Sequence, residues 1–418
     1  MSGPRTQLRR PTRAASAAFV MLAGLTAHAH GRFPASVSVT ERAGSRGQDI
    51  LIGTTFGIVI SRDAGQTWTW VCDESIGYAR FEDPRPLWLQ SGTILLPTSE
   101  GLRTSTDGGC NFGVDPVIGA ADVGGVDASD PLDVLAVATV GSSTGALYRS
   151  SGGPFEVSEL SRPRAIMSGV KRAPSAPSRV YVSGWFYRPS ASWILKSDDG
   201  GHTFETFEQA LPDPGLLQLM AVSPVDPDVI LIRSGGTQGE SVYRSSDGGR
   251  TVELAMTSTL AVRDARFSPD GQTVWLSTTE RLHRSADAGR TFEVLPSPFR
   301  NACSGWVGGE LWVCGWPWTD GFAVGRSVDG RDFETAWALN EIQGISSCPE
   351  SSAAARVCGA FWPLVAEQLG IGEEPEPGEP NEPSCGCRAI SPDVASSWLL
   401  GGALLALFAR AGASRGAA

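Results

Sequence analysis

The sequence has little of what a nucleic-acid-binding or metal-binding protein needs. Only 19% of its residues are charged, and acidic residues outnumber basic ones by 45 to 34, for a formal net charge of −11. Because binding to phosphates requires clustered Lys and Arg, this balance argues against a nucleic-acid partner. The four His are scattered and no Cys-x-x-Cys motif occurs, so we expect no metal site and no cofactor.

Turn-forming residues are abundant instead. The chain of 418 residues contains 50 Gly and 28 Pro, which suits a turn-rich all-β protein better than a helical one. This length is enough to bury one large core or two ordinary ones. Composition alone therefore favours an all-β protein of considerable size.

The N-terminus is typical of an exported protein. Four arginines precede a short apolar stretch, residues 14–26, and the triplet Ala27-His28-Ala29 has the small-x-small pattern of a cleavage site. The apolar stretch is too short to span a bilayer comfortably. We predict that residues 1–29 are a signal peptide.

The C-terminus carries a second targeting pattern. Residues 367–384 are predicted to be an acidic, Pro-rich linker, because they offer nothing to bury. Cys385 and Cys387 follow, then an apolar run predicted as a hydrophobic helix, 394–409, and a tail with two arginines. Residues 385–418 resemble the myxobacterial C-terminal sorting signal, which implies cleavage near Cys385 and surface anchoring. The weak basic tail departs from that pattern, and an uncleaved membrane anchor is the alternative; both place the protein outside the cytoplasm.

Six further cysteines are candidates for disulfide bonds, since an even number in an exported chain favours pairing. They are Cys72, Cys110, Cys303, Cys314, Cys348 and Cys358. The short spacings suit a hairpin between Cys303 and Cys314, and another between Cys348 and Cys358. That would leave Cys72 to pair with Cys110.

A turn motif recurs seven times. Its copies begin at positions 61, 105, 150, 197, 245, 285 and 327, which are 40 to 48 residues apart. The Ser and Asp can fix a tight turn by hydrogen bonds, Gly supplies positive φ, and the aromatic residue at the end can be buried. A spacing of this length fits four short strands and their turns.

We therefore predict an all-β fold, a seven-bladed β-propeller of four-stranded blades over residues 30–366. Strand-like pieces at 344–346 and 355–358 leave eight blades as the alternative; they would close the ring with a strand near residues 37–40 or add a unit.

The motif is identified as the Asp-box, or bacterial neuraminidase repeat. The chain thereby resembles sialidases, sortilin-type receptor domains, xyloglucan-cleaving glycosidases and photosystem II assembly factor propellers, in which the box is a folding element. The residues assigned this structural role are Ser61, Asp63, Gly65, Trp68, Ser105, Asp107, Gly109, Phe112, Ser197, Asp199, Gly201, Phe204, Ser245, Asp247, Gly249, Ser285, Asp287, Gly289, Phe292, Ser327 and Asp329. Two copies are degenerate, at positions 150 and 327.

Catalytic residues are harder to find. The sialidase resemblance implies an arginine ahead of the first box, and Arg32 in Arg32-Phe33-Pro34 is the weak candidate. The five tyrosines lack a catalytic context. Four further arginines could line a central pocket: Arg80, Arg85, Arg164 and Arg188. A glycosidase would need paired carboxylates, but no motif distinguishes the loop acids from solvated charges: Asp83, Asp130, Asp133 and Asp264.

A Trp-rich stretch offers weak binding candidates. Trp306, Trp316 and Trp318 could stack on sugars or contact a protein, although packing between sheets is the simpler interpretation. The sequence thus predicts a cell-surface propeller that binds an unknown protein or carbohydrate ligand through its axial face, without catalysis. The alternative is an exo-sialidase-like glycoside hydrolase, and a purely structural role in the envelope is a third possibility.

Overall fold

The computed structural model describes residues 32–78, 82–130, 132–141, 144–212, 215–236, 239–296, 300 and 303–372. The chain divides into two units, Met1–Phe33 and Pro34–Ala418, and all described helices and strands belong to the second. The predicted signal peptide, the hydrophobic helix 394–409, and Cys385 and Cys387 lie outside the described residues.

The described strands form seven sheets, which we call blades 1 to 7. The strands of blades 1 to 3 are β1 Ser36–Glu41, β2 Ile50–Thr54, β3 Gly57–Ser61, β4 Trp68–Cys72; β5 Leu87–Trp88, β6 Ile94–Thr98, β7 Gly101–Ser105, β8 Gly113–Val114; β9 Asp122–Asp127, β10 Val134–Val140, β11 Thr144–Ser150 and β12 Glu156–Pro163. The strands of blades 4 and 5 are β13 Ala165–Ala173, β14 Ala176–Tyr187, β15 Ser190–Ser197, β16 Glu205–Gln209; β17 Leu217–Val222, β18 Ile230–Gly236, β19 Gly239–Ser245 and β20 Glu253–Ser258. Those of blades 6 and 7 are β21 Val262–Phe267, β22 Val274–Thr278, β23 Leu282–Ser285, β24 Glu293–Val294; β25 Ser304–Val307, β26 Glu310–Cys314, β27 Val324–Ser327 and β28 Glu334–Trp337.

A few short elements complete the architecture. The last described strand is β29, Ile342–Ile345, and a 3₁₀ turn at Leu339–Glu341 precedes it. The helices are α1 Asp73–Ile76, α2 Pro317–Asp320 and α3 Ala353–Gln368. Of the two strand-like pieces predicted after blade 7, the one at 344–346 overlaps β29. The prediction for 355–358 is wrong, because these residues lie inside α3.

Each blade takes its four antiparallel strands from one continuous stretch of chain, in sequence order across the sheet. The first strands of neighbouring blades contact one another, from β9 through β13, β17 and β21 to β25, and β25 contacts β1. This contact closes the ring, so the prediction of seven blades is confirmed. Hydrophobic clusters lie between successive blades, where branched side chains of one sheet pack on the next.

The repeat motif forms the turn between the third and fourth strands of a blade, and we call these the repeat turns. In the turn at Ser285, its Oγ donates to Asp287 Oδ1 at 2.6 Å and accepts from the N–H of Gly289 at 2.9 Å. Asp287 also accepts from the backbone and side chain of Thr291. The equivalent Ser–Asp bond occurs in six of the described turns, at 2.6 to 2.9 Å. The turn of blade 3 lacks the Asp, and there Ser150 donates to Gly153 O.

The hydrogen bonds of the repeat turns lower the pKa of the carboxyl groups that accept them. Desolvation raises the pKa of Asp287, but hydrogen bonds from Ser285 and Thr291 outweigh it and bring the pKa to about 2. In the exposed Asp199, the hydrogen bonds from Thr203 and then Ser197 lower the pKa. The ionised carboxylate is therefore the form that holds the turn together.

Blades 7 and 1 pack closely along the seam between them. A Cβ on Gly305 of β25 would lie 2.4 Å from the carbonyl oxygen of Val39 in β1, so only glycine fits there. The rings of Trp68 and Trp337, both buried, meet across the same seam with centroids 5.7 Å apart. Noncovalent contacts thus join blades 7 and 1 both at their innermost strands, β25 and β1, and at their outermost strands, β28 and β4.

The outer part of the ring is joined by a segment that we call the clasp, residues 338–372. After blade 7 the chain adds β29 parallel to β4 at the outer edge of blade 1, and α3 packs on the same blade. The N–H of Ala354 donates to Cys110 O at 3.0 Å, in the repeat turn of blade 2. The clasp therefore spans blades 7, 1 and 2.

Two of the three disulfide bonds hold the clasp. Cys303 pairs with Cys314 as predicted, but Cys72 pairs with Cys358 and Cys110 with Cys348. The predicted pairs Cys348–Cys358 and Cys72–Cys110 are wrong, because residues 348 and 358 do not face each other in a hairpin. Instead, α3 carries Cys358 to the end of β4, while Cys348 precedes the helix and lies beside blade 2.

Candidate functional site

An axial cavity of about 400 Å³ is the candidate site. Its wall is formed mainly by the first strands of the blades, with contributions from β1, β9, β13, β17 and β21, and by the segment before β5. A volume of this size accommodates a small molecule or one end of a larger ligand.

The cavity is rich in positive charge. Among the described residues, its lining contains five cationic side chains and two carboxylates. These are Arg85, Lys171, Arg233, Arg263, Arg266, Asp83 and Asp264. A protein with a net charge of −11 therefore concentrates cations around its axis.

Three of the arginines are held in place by carboxylates. Arg233 Nη1 lies 3.0 Å from both oxygens of Glu240, and its Nε donates to Gln218 at 2.8 Å. Arg266 Nη1 lies 2.7 Å from Asp264 Oδ1, and Arg263 Nη1 lies 3.2 Å from Asp83 Oδ2. These pairs fix the guanidinium groups along the cavity wall.

The remaining two basic side chains of the wall, Arg85 and Lys171, are paired less closely with carboxylates. Arg85 lies 3.9 Å from Asp264 Oδ2, and its side chain is 43% exposed. Desolvation lowers the pKa of Arg85, and three neighbouring arginines lower it further against the opposing effect of Asp264. Lys171 makes no hydrogen bond or ion pair with the described residues. The positive charge that the wall carboxylates offset least is therefore that of Arg85.

No family model matches the chain, and no curated protein matches it. Among solved structures, YCF48 from Cyanidioschyzon merolae is similar, at 15% identity and a TM-score of 0.47, over 70% of this chain and 94% of that one. A structure of YCF48 bound to D1 peptide matches at 15% identity and a TM-score of 0.45, over 70% and 91%. An ancestral GH74 enzyme matches at 14% identity and a TM-score of 0.52, over 73% of this chain and 46% of that enzyme.

At these identities the likeness shows the fold alone. Seven four-stranded sheets follow one another around a single axial cavity. The protein is a seven-bladed β-propeller. In the propeller, the first strand of each blade is innermost, so residues of these strands decide what the axis can bind.

The propeller brings only some of the predicted residues to the axis. Arg85, Asp83 and Asp264 line the cavity, whereas the exposed Arg164 and Arg188 lie outside its lining. Asp133 pairs with Arg149 and Arg172 between blades 3 and 4, and Asp130 accepts from the N–H of Leu132. Arg32 is half-buried and belongs to the first unit, Met1–Phe33. Arg80 lies outside the described residues.

The tyrosines lie outside the cavity lining as well. Tyr148, Tyr181 and Tyr243 are buried in strands. Tyr181 donates to Pro227 O at 2.7 Å, and desolvation raises its pKa to about 12. Tyr78 is buried and Tyr187 ends β14. The described lining of the cavity therefore contains no Tyr.

The tryptophan candidates divide into two kinds. Trp306 packs between blades 6 and 7: its Nε1 donates to Phe267 O at 3.0 Å, and its ring meets Trp275 edge-on at 5.8 Å. Trp316 and Trp318 lie in the α2 loop with ring centroids 5.2 Å apart, and Trp318 is 48% exposed. Only this second pair is accessible to a ligand.

Sequence reasoning missed Lys171, Arg233, Arg263 and Arg266. Three of them belong to innermost strands, β13 and β21, and the signal was available in the position of those strands. In Val262-Arg263-Asp264-Ala265-Arg266, charged residues interrupt a strand that is enclosed by the ring. Charge in an enclosed strand requires an aqueous cavity or a partner.

The described part of the chain contains neither a metal-binding cluster nor a membrane-spanning helix. No group of three or more His, Cys, Asp or Glu residues is placed to hold a metal ion there. None of the helices in the described ranges is long and apolar enough to cross a membrane.

Proposed function

We propose that this propeller binds an anionic, carboxylate-bearing ligand in its axial cavity. The observation that carries the proposal is the excess of cations over carboxylates in the cavity wall of an acidic protein. Electrostatic attraction would be confined to the axis, since the surface as a whole repels anions. The ligand would be an acidic peptide or an acidic glycan, of which one end enters the cavity.

The chemistry of the wall suits a carboxylate. A guanidinium presents paired donors that match the two oxygens of a carboxylate. Arg85 has the most exposed side chain of the cavity arginines in the ion pairs described above, and its partner is the most distant. We therefore assign the first contact with the ligand to Arg85.

Binding is favoured over glycoside hydrolysis. Hydrolysis of a glycosidic bond uses two carboxyl groups, of which one donates a proton. Both cavity carboxylates lie against arginines: Asp264 beside Arg266 and Arg85, and Asp83 beside Arg263. Both carboxylates are therefore engaged in ion pairs with the cavity wall, which accounts for their presence without a catalytic role.

We also propose that the propeller acts outside the cytoplasm, anchored at the surface through its C-terminal segment. Three disulfide bonds support export, because such bonds persist in oxidising compartments. A surface position would expose the cavity to extracellular peptides and glycans. The Asp-box resemblance, with the turn geometry described above, is consistent with a scaffold role for the repeat.

The proposal is tested by replacing Arg85 with Gln. We expect the affinity for an oligoglutamate or an oligogalacturonate, measured by calorimetry at low salt, to fall by about 10- to 100-fold, because a charge-assisted hydrogen bond contributes about 1.5–3 kcal/mol. Wild-type affinity should also weaken as salt increases. The acidic probe that binds more tightly identifies the ligand class.

The matched control is Arg250→Gln, which removes an exposed arginine in the repeat turn of blade 5, where it pairs with Glu205 on the outer strand of blade 4. It should leave both affinities unchanged. Equal weakening by the two substitutions, or no binding of either probe by the wild type, would contradict the proposal. Hydrolysis of a fluorogenic sialoside that Arg85→Gln abolishes would instead establish the glycosidase alternative.

A further inference from the structure

Lysine is almost absent from this protein. The chain has 32 Arg but only two Lys, Lys171 and Lys196. One of these two lies in the wall of the axial cavity. For holding an anion by charge alone, a further arginine would serve as well, so the property that distinguishes Lys171 is its primary amine.

The two lysines have opposite surroundings. Lys196, on β15, forms an ion pair with Asp198 at 3.5 Å. Lys171, on β13, has no ion pair or hydrogen bond among the described residues and lies inside the ring of blades. Its neighbours in the cavity include the cations Arg266 and Arg85 as well as Asp264.

These surroundings favour the neutral amine of Lys171. Desolvation lowers its pKa, and Arg266 and Arg85 lower it further, against the opposing effects of Asp127 and Asp264. A neutral amine has the lone pair that a protonated one lacks, so it can attack an electrophile. Cationic neighbours in an enclosed pocket are a recognised means of activating a lysine in this way.

We infer that Lys171 captures 2-oxo carboxylates in the axial cavity by forming an imine with their carbonyl carbon. This inference rests on the proposed function, since it requires a carboxylate to enter the cavity. Arg85 would hold the carboxylate, and the adjacent carbonyl would then face the amine.

The step is balanced without any further reactant. The lone pair of Nζ forms a bond to the carbonyl carbon, and the π electrons of the carbonyl move to its oxygen, which takes up the proton that nitrogen loses. The resulting carbinolamine loses its hydroxyl group, which leaves as water after protonation. The products are one imine and one water molecule, and no electrons are gained or lost.

The charge of the cavity explains why the carbonyl compound should also be an anion. A protonated imine on Lys171 would restore a positive charge next to Arg266 and Arg85. The carboxylate of a 2-oxo acid offsets that charge within the same molecule, whereas a neutral ketone does not. The cavity should therefore select pyruvate over acetone.

The test is reductive trapping with pyruvate as the probe. The full-length protein is incubated with pyruvate and cyanoborohydride, then analysed as intact protein and after proteolysis by mass spectrometry. We expect one reduced pyruvate per chain at Lys171, labelled about tenfold faster than Lys196, which serves as the internal control. Acetone should give little adduct, and lactate, which lacks a carbonyl, should give none.

Variants complete the design. Lys171→Met removes the amine without adding a charge and should abolish the adduct, while Lys196→Arg should retain it; circular dichroism checks that both are folded. Equal labelling of the two lysines, or labelling that is insensitive to the carboxylate of the probe, would overturn the inference. If oligoglutamate binds and depends on Arg85 but pyruvate gives no adduct, the inference fails while the proposed function stands.

Discussion

Removing both clasp disulfides is expected to lower the free energy of unfolding by about 5 kcal/mol. The variant replaces Cys72, Cys110, Cys348 and Cys358 with Ser. These disulfides close long stretches of chain, with separations of 286 and 238 residues, so their loss frees a large denatured ensemble. Urea denaturation followed by tryptophan fluorescence measures the change.

The structural reason is the way the ring closes. Because the four antiparallel strands of every blade are consecutive in the chain, β29 is the only described strand from beyond blade 7 that joins blade 1. Among the described residues, the two clasp disulfides are the only covalent cross-links that tie the chain after blade 7 to blades 1 and 2. Without them, α3 and β29 could detach and expose the buried seam of Trp68 and Trp337.

The matched control is the disulfide between Cys303 and Cys314, which lies within blade 7 and closes a separation of only 11 residues. Replacing both with Ser should cost about 2–3 kcal/mol. If the clasp variant unfolds at the same urea concentration as this control or the wild type, the clasp does not close the ring.

Replacing Arg172 with Ala should lower the free energy of unfolding by about 2–3 kcal/mol, because it removes a buried guanidinium and its hydrogen bonds between blades. The side chain of Arg172 is 5% exposed. Its Nη2 donates to Asp133 Oδ2 and to Asp133 O, both at 2.9 Å, and its Nη1 donates to Pro177 O at 3.1 Å. It thereby joins blade 4 to blade 3; after its loss Arg149 still pairs with Asp133 Oδ2 at 2.7 Å, but the bonds to the carbonyl oxygens of Asp133 and Pro177 are gone.

Arg250→Ala is the control for Arg172→Ala. Arg250 pairs with Glu205 at 3.0 Å, but the two side chains are 56% and 52% exposed, so water competes for both charges. This substitution should change the unfolding free energy by less than about 1 kcal/mol. Similar losses for the two variants in thermal or urea denaturation would show that burial does not set the strength of these contacts.

The fold could be predicted from the sequence because the repeat turn is a local structure. Each turn needs Ser, Asp and Gly at fixed positions, as the bonds among Ser285, Asp287 and Gly289 show, so its spacing counts the blades. The clasp could not be predicted in the same way. Its disulfides join residues that only the closed ring brings together, and spacing along the chain favoured the wrong partners.

The axial site could not be predicted from the sequence either, because its residues also meet only in the closed ring. Lys171 and Arg266 come from blades 4 and 6, and neither belongs to a motif. Their shared environment arises from the convergence of innermost strands, which depends on the tilt and register of every blade. The loop residues Arg85 and Asp83 are candidates from the sequence alone. Their contacts with Asp264 and Arg263 of β21 are evident only in the structure.

The account is tested most directly by a crystal structure of the protein with the tighter-binding of the two acidic probes, oligoglutamate or oligogalacturonate. We expect a carboxylate of the probe in the axial cavity, within hydrogen-bonding distance of Arg85. A probe bound only elsewhere, such as on the loop of Trp316 and Trp318 or on the outer strands, with an empty axis, would contradict the account.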